Sequence, residues 1–277
     1  MGPSAIRYAQ LASEVSALGL AYEDIGNIAV PVAEQSQEIN PQLRYLPFVV
    51  EAAAKVREAV LTALTSDQMP LVLGGDHSLS IGTMAALAEK WERPSILWVD
   101  AHGDFNTPKT TPSGNIHGMA LAVGAGLGAA ELLALFHYKK FIEPSRIALI
   151  GVRSLDSGER ELLREAGVAV FTMADIDRRG LQHVLDEALE RTTKDTDALH
   201  VSFDMDVVDP DVAPGVGTPV SGGLNYREAH LVMETVAEAG LMRSLEVVEV
   251  NPILDERNRT ARLAVELIAS ALGRRIF

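Results

Sequence analysis

Short apolar runs alternate along the chain with segments of helical periodicity. Five runs have the length and composition of buried strands, and they span residues 70–75, 95–100, 146–152, 199–206 and 244–250. Between them lie segments of good helix formers with apolar residues at helical spacing, at 46–64, 79–90, 158–167, 180–191, 226–239 and 260–272. This alternation predicts an α/β fold with a mostly parallel central sheet that is covered by helices on both faces.

No internal feature of the sequence divides the chain. We find no repeat, low-complexity tract or linker, and 277 residues lie within the range of one α/β domain. A hydrophobic share of 47% and a charged share of 22% are those of an ordinary globular protein. We therefore predict a single domain over residues 1–277.

The charge balance limits the classes of partner. The chain has 38 acidic and 24 basic residues, a net charge of −14, and no run of Lys or Arg. Nucleic acids and membranes are therefore not expected as partners. The negative charge agrees with a cation or a cationic substrate, although acidic surfaces also serve solubility.

The absence of cysteine limits the kinds of metal site, and the first residues bear on the cellular compartment. With no cysteine, disulfides are excluded and a metal site must use His and carboxylate ligands, which favours hard or borderline metals. The segment MGPSAIRYAQ has neither a basic leader nor an apolar signal core, and no run of 18 apolar residues occurs. We interpret the protein as cytoplasmic.

Acidic residues and histidines concentrate where the predicted strands end. GGDHS follows one strand, DAHGDFN the next and DMDVVDP another, and Glu249 lies near the end of a fourth. In such sheets, ligands bind at the carboxyl ends of the strands. Asp100, His102 and Asp104 alternate, so that in an extended segment their side chains share one face.

Six of these side chains form a candidate metal cluster. They are His77, Asp100, His102, Asp104, Asp204 and Asp206. Packing the carboxylates together without a cation would raise their pKa values and cost several kcal/mol. Six O and N ligands exceed the needs of one tetrahedral zinc and suit a pair of Mn²⁺-like ions, although Co²⁺ or Fe²⁺ also suit such ligands. Two ions can turn a shared water into hydroxide, so we predict a hydrolase.

The remaining acids and histidines of note are interpreted as structural. We expect turn or helix-cap roles for Asp76, Asp209 and Asp211. We expect ordinary structural roles for His137, His183, His200 and His230.

GGDHS, DAHGDFN and SFDMDVVDP closely resemble the three metal-binding signatures of the ureohydrolase (arginase and agmatinase) family, in the same order. The resemblance extends from MGPSAIRYA to EVNPILDERNRTA. It implies a three-layer α/β/α sandwich, two Mn²⁺ ions per chain and cleavage of a guanidino or amidino C–N bond. One ion would be bound by His77, Asp100, Asp104 and Asp204, and the other by Asp100, His102, Asp204 and Asp206. Asp100 and Asp204 would then bridge the ions.

The resemblance also implies a substrate pocket of the arginase type. In the loop NTPKTTPSGNIHG, the groups that would bind an α-carboxylate are Asn106, Thr111, Ser113 and Asn115. In RSLDSGE, Asp156 and Glu159 would recognise the α-amino group, and Thr218 belongs to the same pocket. Ser154 departs from the family pattern, because some arginases have an acid there.

The expected reaction is manganese-dependent hydrolysis of L-arginine to L-ornithine and urea by a metal-bridging hydroxide. By resemblance, Glu249 would pair with the guanidinium, and Asp104 would move a proton from the hydroxide to the leaving amine. His117 would shuttle a proton to solvent. The family also implies a homotrimer or homohexamer.

Several alternatives remain open at this point. The nearest is another ureohydrolase, such as an agmatinase or a guanidino-acid hydrolase, although agmatine has no carboxylate for the 106–115 loop to bind. A non-catalytic metal-binding scaffold on the same fold is a further alternative. GAGLG at 124–128 lacks the setting of a dinucleotide site, and no GxSxG elbow of a serine hydrolase occurs.

The amino terminus departs from the family pattern. Family members usually have a first strand and a glycine- and arginine-containing loop before the segment that resembles MGPSAIRYA. We therefore expect one sheet strand to be absent here or to be supplied by a longer natural product.

Overall fold

The computed structural model describes residues 1–31 and 40–275, which contain a six-stranded sheet. The strands are β1 Leu71–Leu73, β2 Pro94–Val99, β3 Ile147–Val152, β4 Ala169–Thr172, β5 Ala198–Asp204 and β6 Met242–Val248. Their order across the sheet is β1-β6-β5-β2-β3-β4, and every neighbouring pair is parallel. The predicted parallel sheet is confirmed.

Helices connect these strands. The first six are α1 Gly2–Tyr8, α2 Leu11–Ala17, α3 Leu46–Thr65, α4 Ser80–Lys90, α5 Ala120–Gly124 and α6 Ala130–Leu133. The others are α7 Ser157–Ala166, α8 Met173–Arg179, α9 Leu181–Thr193, α10 Tyr226–Ala239 and α11 Arg259–Ala271. Short 3-10 turns include His77–Leu79 after β1 and Ile116–Met119 before α5.

The core lies in two layers, one on each face of the sheet. On one face, Leu97 and Val247 pack with buried residues of α1, α2 and α8 to α11. On the other face, Ile96 and Trp98 pack with buried residues of α3 to α7. Side chains of successive strand residues point to opposite faces, so the near-continuous apolar strands supply both layers. The three-layer α/β/α sandwich is confirmed.

The elements that the periodicity predicted are present, with ends shifted by a few residues. The sequence did not indicate β4 or the helices α1, α2, α5, α6 and α8. β4 has four residues and these helices have four to seven, which is too short to establish a period in the sequence. Among the described helices, none is both long and apolar enough to cross a membrane.

Candidate metal centre and substrate cavity

The carboxyl ends of four neighbouring strands lie side by side. In the order β1, β6, β5 and β2, these strands lead into His77, Glu249, Asp204 and Asp100, respectively. Because all four run parallel, these residues lie at the same edge of the sheet. The candidate residues, which are up to 172 positions apart in sequence, thus come together through the strand order.

His77 contacts three carboxylates. Its Nδ1 atom lies 3.1 Å from Oδ2 of Asp100, 3.0 Å from Oδ2 of Asp104 and 3.1 Å from Oδ2 of Asp204. All four side chains are buried. The other ring nitrogen, Nε2, lies 2.7 Å from Oγ of Ser202. One imidazole nitrogen therefore faces an acidic cluster while the opposite nitrogen is held by a hydroxyl.

His102 lies beside a second pair of carboxylates. Its Nδ1 atom is 3.0 Å from Oδ2 of Asp206 and 3.5 Å from Oδ1 of Asp100. Asp100 thus presents one oxygen to His77 and the other to His102, which is the position of a bridging ligand. Asp204 also contacts a residue of each group. Its Oδ2 atom faces His77, and its Oδ1 atom accepts the Asp206 N–H at 2.7 Å.

The pKa values of these carboxylates indicate whether a cation would be favourable among them. Burial raises the pKa of Asp104 to about 6, and the neighbouring Asp100 charge acts in the same direction. Burial likewise raises the pKa of Asp204 well above its ordinary value, and the charges of Asp206 and Asp100 add to this. A divalent cation among these oxygens would remove the cost of keeping them ionised.

The donors present also fit a cation. His77 Nδ1 is buried and has no aligned hydrogen-bond partner within residues 1–31 and 40–275, although three carboxylate oxygens surround it. Two geometric groups of potential ligands share Asp100; they are His77, Asp100 and Asp104, and Asp100, His102 and Asp206. Imidazole nitrogen and carboxylate oxygen without sulfur are the ligands of Mn²⁺-like ions. We refer to the six predicted ligands as the metal centre.

Two residues of the site have left-handed backbone conformations. Asp104 has φ of 48° and Glu249 has φ of 62°, values that side chains other than glycine rarely adopt and that cost about 1–3 kcal/mol each. Hydrogen bonds hold both residues in place: the Asp104 carbonyl accepts the Leu121 N–H at 3.0 Å, and the Glu249 N–H donates to the Gly75 carbonyl at 2.9 Å. Such retained strain is typical of functional sites.

Glu249 and His117 face each other beside the metal centre. Oε1 of Glu249 accepts the backbone N–H of His77 at 2.9 Å and lies 3.3 Å from Nδ1 of His117. The contact with Glu249 raises the pKa of His117 to about 9, against the opposite effect of burial. His117 is 27% exposed, so it can exchange protons with solvent.

One cavity lies next to the metal centre, and most of the predicted site residues line it. Its lining consists of His102, Asp104, Asn106, Thr111, Ser113, His117, Gly118, Ser154, Asp156, Glu159, Asp204, Asp206, Thr218 and Glu249. Of the predicted substrate-binding residues, Asn115 is outside this lining, and its N–H donates to Oγ of Ser113 at 3.2 Å. The other predicted substrate-binding residues all line this cavity.

The side of the cavity away from the metal centre is formed by residues 106–115 and 154–159, which we call the recognition rim. Asn106 Nδ2 donates to Oδ2 of Asp156 at 2.9 Å. Asn106 Oδ1 is buried and has no hydrogen-bond partner in the described part of the chain. Asp156 is exposed, and its carboxylate is available to a ligand in the cavity.

Glu159 is arranged differently from Asp156. It is buried; its Oε1 accepts the Phe105 N–H at 2.9 Å and its Oε2 accepts the Asp156 N–H at 3.2 Å. Burial raises its pKa to about 7. Both carboxylate oxygens therefore bind backbone, where they cap α7 and join it to the DAHGDFN loop.

Thr218 and Ser154 complete the lining. Thr218 donates from Oγ1 to Oδ2 of Asp206 at 3.0 Å, which orients one of the predicted metal ligands. Ser154 also lines the cavity, and its N–H donates to the Ala101 carbonyl at 3.0 Å.

Three residues that the sequence analysis did not single out support the metal centre. Trp98 stacks on the His77 ring, with centroids 4.0 Å apart, and its Nε1 donates to Oδ2 of Asp100 at 2.9 Å. Ser202 holds His77 Nε2. Arg153 donates to the carbonyls of Asp206 at 2.7 Å, Val207 at 3.0 Å and Val220 at 2.7 Å.

The residues predicted to be structural lie outside the metal centre. Asp76 Oδ1 accepts the Ser78 N–H at 3.0 Å, and Asp209 accepts N–H groups of a turn that includes Asp211. The four histidines are His137, which contacts Arg57; His183, which is exposed; His200, which contacts Ser244; and His230, which contacts Ser270. Turn roles are therefore confirmed for Asp76 and Asp209.

Known proteins resemble this chain along nearly its whole length. The sequence model of the Arginase family matches residues 1–273. The arginase of Bacillus caldovelox is 49% identical over 277 residues, which are 100% of this chain and 93% of that protein. The solved native structure of Bacillus caldovelox arginase at pH 5.6 aligns with a TM-score of 0.97 and 48% identity, covering 100% of this chain and 93% of that one. Entamoeba histolytica arginase in complex with L-ornithine aligns with a TM-score of 0.87 and 29% identity, covering 99% and 92%.

Proposed function

The chain belongs to the arginase family, and from this premise we propose that it hydrolyses L-arginine to L-ornithine and urea. The observation that carries the proposal is the cavity, because it joins the acid and imidazole cluster to polar groups suited to an amino acid. The relative from Entamoeba histolytica holds L-ornithine, the product that this reaction would release.

The metal centre would hold two Mn²⁺ ions. One would be bound by His77, Asp100, Asp104 and Asp204, and the other by Asp100, His102, Asp204 and Asp206. When bound, two such ions lower the pKa of a water molecule toward neutrality and stabilise negative charge that develops during attack on carbon. The position of Asp100 between His77 and His102 supports a bridging role for this residue.

Glu249 would hold the guanidinium of the substrate. Its carboxylate lines the cavity next to the metal centre and is fixed by the His77 N–H. A guanidinium is planar and pairs well with a carboxylate through charge-assisted hydrogen bonds. This contact would hold the guanidinium carbon over the cluster of acids, where hydrolysis would take place.

Two groups would then handle protons. Asp104, a member of the metal centre that also lines the cavity, would accept a proton from the attacking water and pass it to the leaving amine. His117 lies at the partly exposed side of the cavity and would exchange a proton between the site and solvent.

The recognition rim would bind the two α-substituents of arginine. Asp156 would pair with the α-amino group, while the polar groups of Asn106, Thr111 and Ser113 would bind the α-carboxylate. Asn115 and Glu159, which the resemblance also assigned to the substrate, would act through Ser113 and through the loop backbone instead.

Another ureohydrolase activity is the main alternative, and the substrate separates the two. We would measure urea release from L-arginine and from agmatine, with Mn²⁺ added and after its removal by a chelator. Metal-dependent release from arginine alone is the expected result. Preference for agmatine would contradict the assignment of the recognition rim, and inactivity on both substrates with Mn²⁺ bound would contradict the proposed reaction.

The remaining proposals concern the whole protein. Family membership supports a homotrimer or homohexamer, and the composition supports a single domain over residues 1–277 in the cytoplasm. Light scattering after size-exclusion chromatography measures the number of copies in the assembly. A monomer would contradict the proposed homotrimer or homohexamer.

A further inference from the structure

A polar stripe crosses the buried face of the sheet beneath the metal centre. Residues two apart on a strand point to the same face, and the register aligns the neighbours on parallel strands. The row directly beneath Asp100 and Asp204 consists of Trp98, Ser202 and Glu246. The next row down consists of Ile96, His200 and Ser244.

Glu246 and His200 are in buried contact within this stripe. Nε2 of His200 lies 3.2 Å from Oε1 of Glu246, and Nδ1 of His200 lies 2.7 Å from Oγ of Ser244. Both side chains are 0% exposed. Burial raises the pKa of Glu246, but the charge and contact of His200 outweigh this and bring the pKa to about 2. Glu246 is therefore an ionised carboxylate buried within the polar stripe.

This pair is costly for the fold. Neither oxygen of Glu246 has a well-aligned hydrogen bond in residues 1–31 and 40–275, although the nearby Ser80 hydroxyl also lowers its pKa, so the carboxylate is only partly compensated. Apolar residues of similar volume commonly replace such pairs without loss of stability. The retention of a charge in this row calls for a role other than stabilising the sheet.

The stripe leads from Glu246 to a metal-ligand histidine. Ser202 is the register neighbour of Glu246, and neighbouring strands lie about 4.8 Å apart. Ser202 Oγ in turn lies 2.7 Å from Nε2 of His77, whose ring is fixed by stacking on Trp98. Negative charge behind Ser202 favours a hydrogen-bond direction in which Nε2 of His77 is the donor. Nδ1, on the side of the acids, is then left with its lone pair.

We propose that Glu246, held in place by His200, is a positioning residue for His77 that keeps the His77 proton on Nε2 and Nδ1 free to bind a metal ion. This inference rests on the proposed metal centre. Partners that orient a ligand histidine in this way commonly affect metal affinity by about tenfold to a hundredfold. The effect should fall on the ion that His77 binds and spare the ion beside His102.

The test is Mn²⁺ binding to metal-stripped protein, measured by titration calorimetry. In the double variant His200→Leu/Glu246→Met, both partners of the buried contact are replaced together by apolar side chains, so the sheet is expected to remain folded. We expect one of the two binding steps to weaken about tenfold or more while the other stays within threefold of the unaltered protein. The His77→Asn variant identifies the step that belongs to His77. Val247→Ala is the matched control, because Val247 is buried on the same strand but packs on the opposite face.

The outcomes separate this inference from the proposed function. Unaltered protein that binds no Mn²⁺ would overturn the metal centre and the inference together. Two normal steps in the double variant, or an equal loss in both steps, would overturn the positioning role alone. Single variants give a second test: Glu246→Asp, which keeps the charge, should bind more tightly at the His77 step than Glu246→Gln, and equal affinities would contradict the proposal.

Discussion

The metal centre and the recognition rim are two sides of one cavity, but they are built from different parts of the fold. The metal centre stands on the carboxyl ends of β1, β5 and β2, with ligands that contact one another directly. The recognition rim is formed by a loop and the start of α7, and many of its polar groups bind backbone or each other. A rigid base therefore carries the proposed metal ligands, while the groups that would select the substrate lie where loops can vary.

The largest effect should come from the shared ligand of the metal centre. Asp100→Asn removes a carboxylate that contacts both His77 and His102, so we expect kcat/KM for arginine to fall by about 10³-fold or more. Bound Mn²⁺, measured by elemental analysis after dialysis, should fall below the unaltered level. Asp209→Asn is the control, because the Asp209 carboxylate binds turn N–H groups, and its metal content should be unchanged. Full metal content in the Asp100 variant would contradict a bridging role.

A smaller effect of another kind is expected at the recognition rim. Asp156→Asn removes the proposed partner of the α-amino group, and a hydrogen bond to a charged group contributes about 1.5–3 kcal/mol. KM for arginine should rise about tenfold or more, while kcat stays within about threefold. Steady-state kinetics at saturating Mn²⁺ measure both values. Asp186→Asn, an exposed acid on α9, is the control. A fall in kcat with unchanged KM would show that Asp156 does not bind the substrate ground state.

The smallest effect on activity should come from Glu159, which the structure ties to backbone. Its pKa is raised from 4.5 to about 7, so between these pH values the native state keeps a proton that the unfolded chain has released. Stability contributed by this group is therefore present at low pH and lost as pH rises through 7. Urea unfolding of metal-free protein at pH 5 and pH 8 should show that Glu159→Gln removes part of this decline, at most about 3 kcal/mol.

Activity provides the contrast between Glu159 and Asp156. KM of the Glu159→Gln variant should stay within about threefold, because neither oxygen is free for the substrate. A large increase in KM, or an unfolding difference that is the same at both pH values, would contradict the capping role.

The contrast also explains what could be predicted from the sequence. The metal ligands lie just beyond the ends of strands, and a parallel sheet brings such ends together, so their position in the sequence grouped Asp100, His102 and Asp104. The expected extended segment is not found, because the chain bends at residues 101–102 and Asp104 has a left-handed conformation. A strand period of two links Trp98 to Asp100 and Ser202 to Asp204. These two residues were missed because Trp and Ser are unremarkable inside a strand.

Other roles had no sequence signal or an ambiguous one. Arg153 acts on carbonyl groups of the backbone, which the residues around it do not reveal. The segment Asp156–Glu159 has the spacing of a capping box as well as that of two substrate-binding acids. Only the burial of Glu159 and its contacts distinguish the two interpretations.

The strand order has a consequence for the growing chain on the ribosome. β6 lies between β1 and β5, yet among the described strands it is the last to be synthesised. When translation reaches residue 241, all six proposed metal ligands have been made, but the strand that joins the two parts of the sheet has not. His77 and Asp204 can take up their positions only when β6 has inserted between their strands. A nascent chain of this length would thus contain every proposed ligand without the assembled site, and metal binding would then be a late event of biosynthesis.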